Sequence, residues 1–144
     1  VKVEDQIEAY LAGQPEPKRE ELRRLHELIV RLSPESKLWF ADGTDANGKI
    51  VSNPNIGYGS HEIHYANGST KEFFQVGLSA NKSGISVYIL GLEDKTFLAR
   101  TFGATLGKAS VTGYCIKFKS IRDIDLTVLE AAIQHGFHHS RDIS

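Results

Sequence analysis

The sequence predicts an α+β fold: an antiparallel sheet, built as a meander plus one later strand, covered on one face by N-terminal, middle and C-terminal helices. Three observations carry this. Residues 56–91, IGYGSHEIHYANGSTKEFFQVGLSANKSGISVYILG, hold the only sustained period-two alternation of apolar residues in the chain, broken by turn dipeptides. The segments on either side repeat apolar residues at helical spacing instead. Beyond the middle helix, Tyr114, Ile116 and Phe118 alternate with Cys115, Lys117 and Lys119 as one further half-exposed strand. With 144 residues, the chain reads as one domain, 1–144, able to bury a core without a disulfide or a metal.

At the N-terminus, Val3, Ile7, Tyr10 and Leu11 share one face of a helix over 3–12, which Gly13 and Pro15 stop. Pro17 then sits where a first-turn proline belongs. Leu22, Leu25, Leu28, Ile29 and Leu32 form the apolar stripe of a second helix, ended by Ser33-Pro34. Glu20 with Arg24 and Glu27 with Arg31 are spaced for i, i+4 pairs on its solvated face. Residues 37–40, KLWF, are too short to type and read as a helix end or a short strand before an exposed loop. Trp39, the single tryptophan, is expected to anchor the core at the helix-sheet junction.

Inside the central stretch, Ile56 and Tyr58 fall on even positions but Ile63 and Tyr65 on odd ones, so a β-bulge at Gly59-Ser60 is expected to return both sets to one face. Asn67-Gly68 signals a type I′ hairpin turn. Phe74, Val76 and Leu78 alternate along the next strand, residues 80–84 turn the chain, and Ile85, Val87 and Ile89 alternate back. Phe97, Leu98, Thr101, Phe102 and Leu106 mark a helix over 94–106, with Gly107 as its stop. Thr127-x-x-Glu130 reads as the capping box of a last helix whose buried face is Leu126, Leu129, Ile133 and Phe137.

Composition bounds the function classes. A formal net charge of −1 argues against a binder that relies on neutralising nucleic-acid phosphates, and the longest apolar run falls far short of a membrane span. One cysteine excludes an intramolecular disulfide and a Cys-rich zinc site and points to a reducing, cytoplasmic setting. No acid, base and nucleophile can be named together, so a binding module is expected rather than an enzyme.

Several pieces, in order, carry a resemblance: Gly57-Tyr58-Gly59, Tyr65-Ala66-Asn67-Gly68, Val76-Gly77-Leu78-Ser79 with Lys82, Ser86-Val87-Tyr88-Ile89, Leu106-Gly107-Lys108, and Gly113-Tyr114-Cys115 running to Asp123-Ile124-Asp125. Together they resemble the YdhG-like domains of unknown function, a group that includes bacterial proteins described as frataxin-like iron chaperones. The resemblance implies the fold more firmly than a function. It also allows iron as a cargo held by exposed carboxylates, whereas the residues by themselves imply no cofactor. Two departures stand out: Ala80-Asn81 where relatives have a Pro-Arg pair, and ASVTG after Lys108 where they have a shorter, more basic loop.

Candidate sites are few. Lys82 and Lys108 both lie in loops inside matching pieces, where two ammonium groups at one sheet edge would favour a carboxylate or phosphate; a protein partner is the other occupant expected of that edge. Tyr58, Tyr88 and Tyr114 would line that site; otherwise they are core residues with hydroxyls at the rim. His135, His138 and His139, at i, i+3 and i+4, would share one side of a helix as a metal face with Asp142 nearby, although histidine is also favoured at helix C-termini by the dipole. His61-x-x-His64 on a strand places its rings on opposite faces. Cys115 reads as a packed side chain, the glycines of Gly57-Tyr58-Gly59 as bulge and turn, and Glu93-Asp94 and Asp123/Asp125 as helix N-terminal residues.

Overall fold

In the computed structural model, residues 2–143 are described, with side chains through His138. Helices α1 (Val3–Ala12) and α2 (Lys18–Leu32) precede strands β1 (Leu38–Ala41), β2 (Asn55–Tyr58), β3 (His61–His64), β4 (Thr70–Phe73), β5 (Val76–Asn81) and β6 (Gly84–Ile89). Helix α3 (Phe97–Leu106), strands β7 (Ser110–Val111) and β8 (Cys115–Phe118), a 3-10 turn (Ile121–Asp123) and α4 (Leu126–Ile143) complete the chain. The main sheet has the order β1-β2-β5-β6-β8-β7, all antiparallel, and β3 and β4 form a separate two-stranded sheet.

One face of the main sheet is the core. Phe40, Ile56, Leu78, Val87, Ile116 and Val111 lie in one register row across all six strands. Leu22, Leu25 and Ile29 of α2, Leu98 and Leu106 of α3, and Leu129 and Ile133 of α4 are fully buried in the same cluster. Each such side chain contributes about 1.5–3 kcal/mol relative to exposure, so the stripes read from the sequence are what hold the helices to the sheet. The salt bridges are a minor matter by comparison. The i, i+4 pairs expected on α2 are not among those formed; Arg23 instead grips Glu8 of α1 through two nitrogens at 2.9 and 2.7 Å.

Where the chain departs from the period-two expectation, the reasons are local. After Tyr58 the chain does not bulge and continue. Gly59 takes φ +78° and β3 leaves the sheet, so Ile63 is only half-buried and Tyr65 is 47% exposed. At Asn67-Gly68 only Gly68 has positive φ. Its N–H donates to Tyr65 O, and the Tyr65 N–H donates to Ser69 O, which is the longer hairpin loop with one left-handed glycine rather than a type I′ turn.

Phe74 lies between β4 and β5 and turns to the face opposite Val76 and Leu78. A Cβ on Gly57 would come within 2.5 Å of its ring, and one on Gly77 within 2.7 Å. Trp39 also lies on this outer face, paired in register with Gly57, and not at the helix-sheet junction. Its indole N–H donates to Gly59 O at 2.7 Å, Phe73 meets it edge-on, and Lys37 Nζ sits 4.2 Å from its ring centroid. Asp125, and not Thr127, caps α4: its carboxylate accepts the Thr127 and Val128 N–H groups.

Tyr58 occupies the core side of β2, 1% exposed, with its hydroxyl 2.7 Å from His26 Nδ1 of α2. Burial pushes the His26 pKa down, against the weaker opposing pull of Glu27 and Glu8. Below about pH 6.5 the unfolded chain therefore takes up a proton that the folded chain resists, and stability falls with pH until the lowered folded value is passed. The half-buried His61 is shifted the same way and adds to the slope. Urea midpoints are expected to decline between pH 7 and pH 5, with a shallower decline in His26→Gln; an identical slope in that variant would remove His26 as a cause.

Candidate functional site

The face of the sheet turned away from the helices carries short and polar side chains next to aromatic ones. In register, Trp39, Gly57, Gly77, Tyr88 and Cys115 form one row and Ser79, Ser86, Lys117 and Ser110 the next. Ser79 and Ser86 are each 1% exposed. Ser79 Oγ donates to Pro54 O at 2.6 Å, and Asn81 Nδ2 donates to Ser86 Oγ at 2.8 Å. Asn81 Oδ1 in turn accepts the N–H and hydroxyl of Ser83, which fixes the two-residue turn between β5 and β6.

Beside that turn lie two adjoining concavities. The larger, about 500 Å³, is lined by Asn81, Ser83, Lys108, Ser110, Lys117 and Lys119, together with Ile85, Ala109 and Phe118. The second, about 300 Å³, opens between the turn and the start of α2, with Lys18, Lys82, Lys119, Arg122 and Glu21 around it. Ser83 and Lys119 line both. Lys82 and Lys108 thus belong to neighbouring hollows at one end of the sheet, each exposed and neither in the same hollow as the other.

Lys117 and Lys119 reach the site because they alternate with the buried Ile116 and Phe118 along β8 and its extension. Among the described residues, none of Lys82, Lys108, Lys117 and Lys119 has an ion-pair partner. Lys18 Nζ is engaged with Asn81 O at 2.6 Å. The one carboxylate in the smaller hollow, Glu21, accepts the Ile121 N–H and the Ser120 hydroxyl, which holds the segment after β8 against α2. The larger hollow has no acidic residue in its lining.

The tyrosines are not gathered there as a set. Tyr58 is on the opposite face, in the core, where burial raises its pKa well above the ordinary phenol value. Tyr88 does lie on the outer face, two residues along from Ser86, and the ring of Tyr114, just ahead of β8, stacks on it with planes 15° apart and centroids at 6.3 Å. Cys115, in register with Tyr88, is 2% exposed, and burial pushes its thiol pKa up, the direction of an inert cysteine.

Two of the three histidines of the expected metal face have described side chains. His135 is half-buried and stacks on Phe97 of α3 at 4.1 Å, His138 is exposed, and the side chains of His139 and Asp142 lie outside the described residues. Among the described residues, no three His, Cys, Asp or Glu side chains are grouped to hold a metal ion, and no helix is long and apolar enough to cross a membrane. Asp94 and Asp125 bind the N–H groups two residues on, at the entries to α3 and α4, as expected of helix N-terminal acids. No protein-family model, curated protein or solved structure matches this chain.

Asn81 and Lys82 are adjacent, yet their substitution should differ. Asn81→Ala leaves the buried Ser86 hydroxyl and the Ser83 N–H without their partners and is expected to cost about 1–3 kcal/mol. Lys82→Ala removes only a solvated ammonium and is expected to stay within about 0.5 kcal/mol. Chemical denaturation of the two variants side by side measures the difference.

Proposed function

We propose that this protein is a non-enzymatic binding module for a small anionic ligand, held at the turn end of the sheet by Lys108, Lys117 and Lys119, with Lys82 on the adjoining rim. The observation that supports it most is the larger hollow: three ammonium groups, two hydroxyls and an amide line it, and among the described residues its lining holds no carboxylate. Three cations held near one another repel, and an anion relieves that repulsion while accepting their hydrogen bonds. Phosphate and carboxylate both fit this donor set. Lysine, as a flexible point charge, does not demand the flat fork geometry that arginine would.

This reading shares its key residues with the YdhG-like resemblance, since Lys82 and Lys108 fall in matching pieces and Lys117 and Lys119 follow the Tyr114-Cys115 piece. The chain's Asn81 is accounted for on the same terms: it builds the turn and fixes Ser86 in place of adding a charge. Iron handling, the second class suggested by the resemblance, draws no support from any grouping of described carboxylates.

Titration with inorganic pyrophosphate in low salt tests the proposal. The wild type is expected to show a rise in melting temperature that saturates, weakens with added salt, and is lost in Lys108→Ala/Lys117→Ala, whose own melting temperature stays near that of the wild type. Equal shifts in wild type and double variant would sink the reading.

A further inference from the structure

The basic hollow does not end at Lys117. Along β6 and β8 the same outer face runs from Lys119 and Asn81, past Ser86 and Lys117, to Tyr88, on whose ring that of Tyr114, just ahead of β8, stacks. Tyr88 stands diagonal to Lys117, since Tyr88 pairs with Cys115 and Ser86 with Lys117. Diagonal neighbours on one face of an antiparallel pair lie about 7–8 Å apart, within reach of a tyrosine ring and a lysine side chain. From the level of Cys115 to that of Lys119 is four residues, about 13 Å. The strip therefore has an aromatic end at Tyr88 and a cationic end that begins one row away at Lys117.

Tyr114 is the unusual member. It is 52% exposed although it already stacks on Tyr88, and it follows Gly113, whose close approach to Lys95 O leaves no room for a Cβ without adjustment at 3.0 Å. The backbone there is pressed against the start of the α3 segment while the ring faces water. One side of a nearly parallel tyrosine pair can accept a third ring, which would extend the stack and cover the exposed surface.

Building on the anion-binding reading above, we infer that the ligand is a planar ring joined to a short phosphate chain, a nucleoside diphosphate, with its base stacked on Tyr114 and its phosphates on Lys117, Lys108 and Lys119. A bare anion would satisfy the lysines and leave the tyrosines unexplained. An apolar partner would cover the tyrosines and strand the lysines. A ring-bearing phosphate matches both ends in the order in which the sheet presents them.

Calorimetric titration with inorganic pyrophosphate, adenosine and adenosine diphosphate separates this inference from the reading beneath it. Adenosine diphosphate is expected to bind about tenfold tighter than pyrophosphate, because stacking on an aromatic side chain adds of the order of one decade or more. Tyr114→Ala should bring its affinity down to that of pyrophosphate without changing pyrophosphate binding, and Tyr114→Phe should keep the advantage. Equal affinities of the two phosphates in the wild type would overturn the nucleotide inference and leave the anion site standing. Absence of binding by both would overturn the anion site as well. The wild-type comparison needs no variant to fold, and circular dichroism of Tyr114→Ala checks that its loss is local.

Discussion

The alternation of side chains along β5, β6 and β8 has to place Leu78, Val87 and Ile116 under three helices at once, and the other features of this molecule follow from that demand. These residues are fully buried, and a one-residue slip of any of the three strands would move its apolar set to the wrong face. The helices have only one apolar surface to cover, so they gather on it. The opposite face is left without a helix, and its central positions are filled by what a thin covering tolerates. Gly57 and Gly77 lie under the Phe74 ring, and Ser79 and Ser86 satisfy their hydroxyls locally. The candidate site is the part of that face which even this covering does not reach.

The helix stripes were readable because they are redundant: α1, α2 and α3 each repeat apolar residues over several turns, and removing any one would leave the pattern intact. The strand pairs β5-β6 and β6-β8 were readable for the same reason. Phe74 and Trp39 were not, because each is a single large apolar residue with no repeat to fix its face. What decides them is the absence of a side chain at Gly57 and Gly77, two strands away in sequence but adjacent in register. The exit of β3 from the sheet was misread for a related reason. Ile63 looks like a core residue in a local window, and only the left-handed Gly59 and the pairing of β5 directly to β2 show that the sheet has no place for it.

The site was half legible. Lys82 and Lys108 stood out as loop cations, whereas Lys117 and Lys119 looked like the solvated half of an ordinary strand. Their spacing of two, beside the buried Ile116 and Phe118, was a usable signal, since it places both on one face at the sheet end where the turn and the loop after α3 also arrive. Tyr58 was drawn in by its family-like context and is excluded by parity: it shares the inner row with Val76 and hydrogen-bonds to a helix. A net charge of −1 hid the arrangement altogether, because it sums over the whole chain and says nothing of the local group of Lys108, Lys117 and Lys119.

That local grouping also sets what the lysines could do for a ligand. Salt screens exposed charges beyond about 8 Å at physiological ionic strength, so in the proposed site these cations would act on a ligand in contact and not on one at a distance. Each exposed pairing contributes about 0–1 kcal/mol, so three of them alone would give the proposed ligand binding that is weak and indifferent to the rest of the molecule. Selectivity has to come from a second chemistry at a fixed offset. The Asn81 bonds hold the β5-β6 turn and the pairing of β6 with β8 fixes the backbone register, so the offset between the backbone positions of Lys117 and Tyr88 is set before anything binds. A flexible basic loop would lack that property; a basic edge built on two paired strands has it.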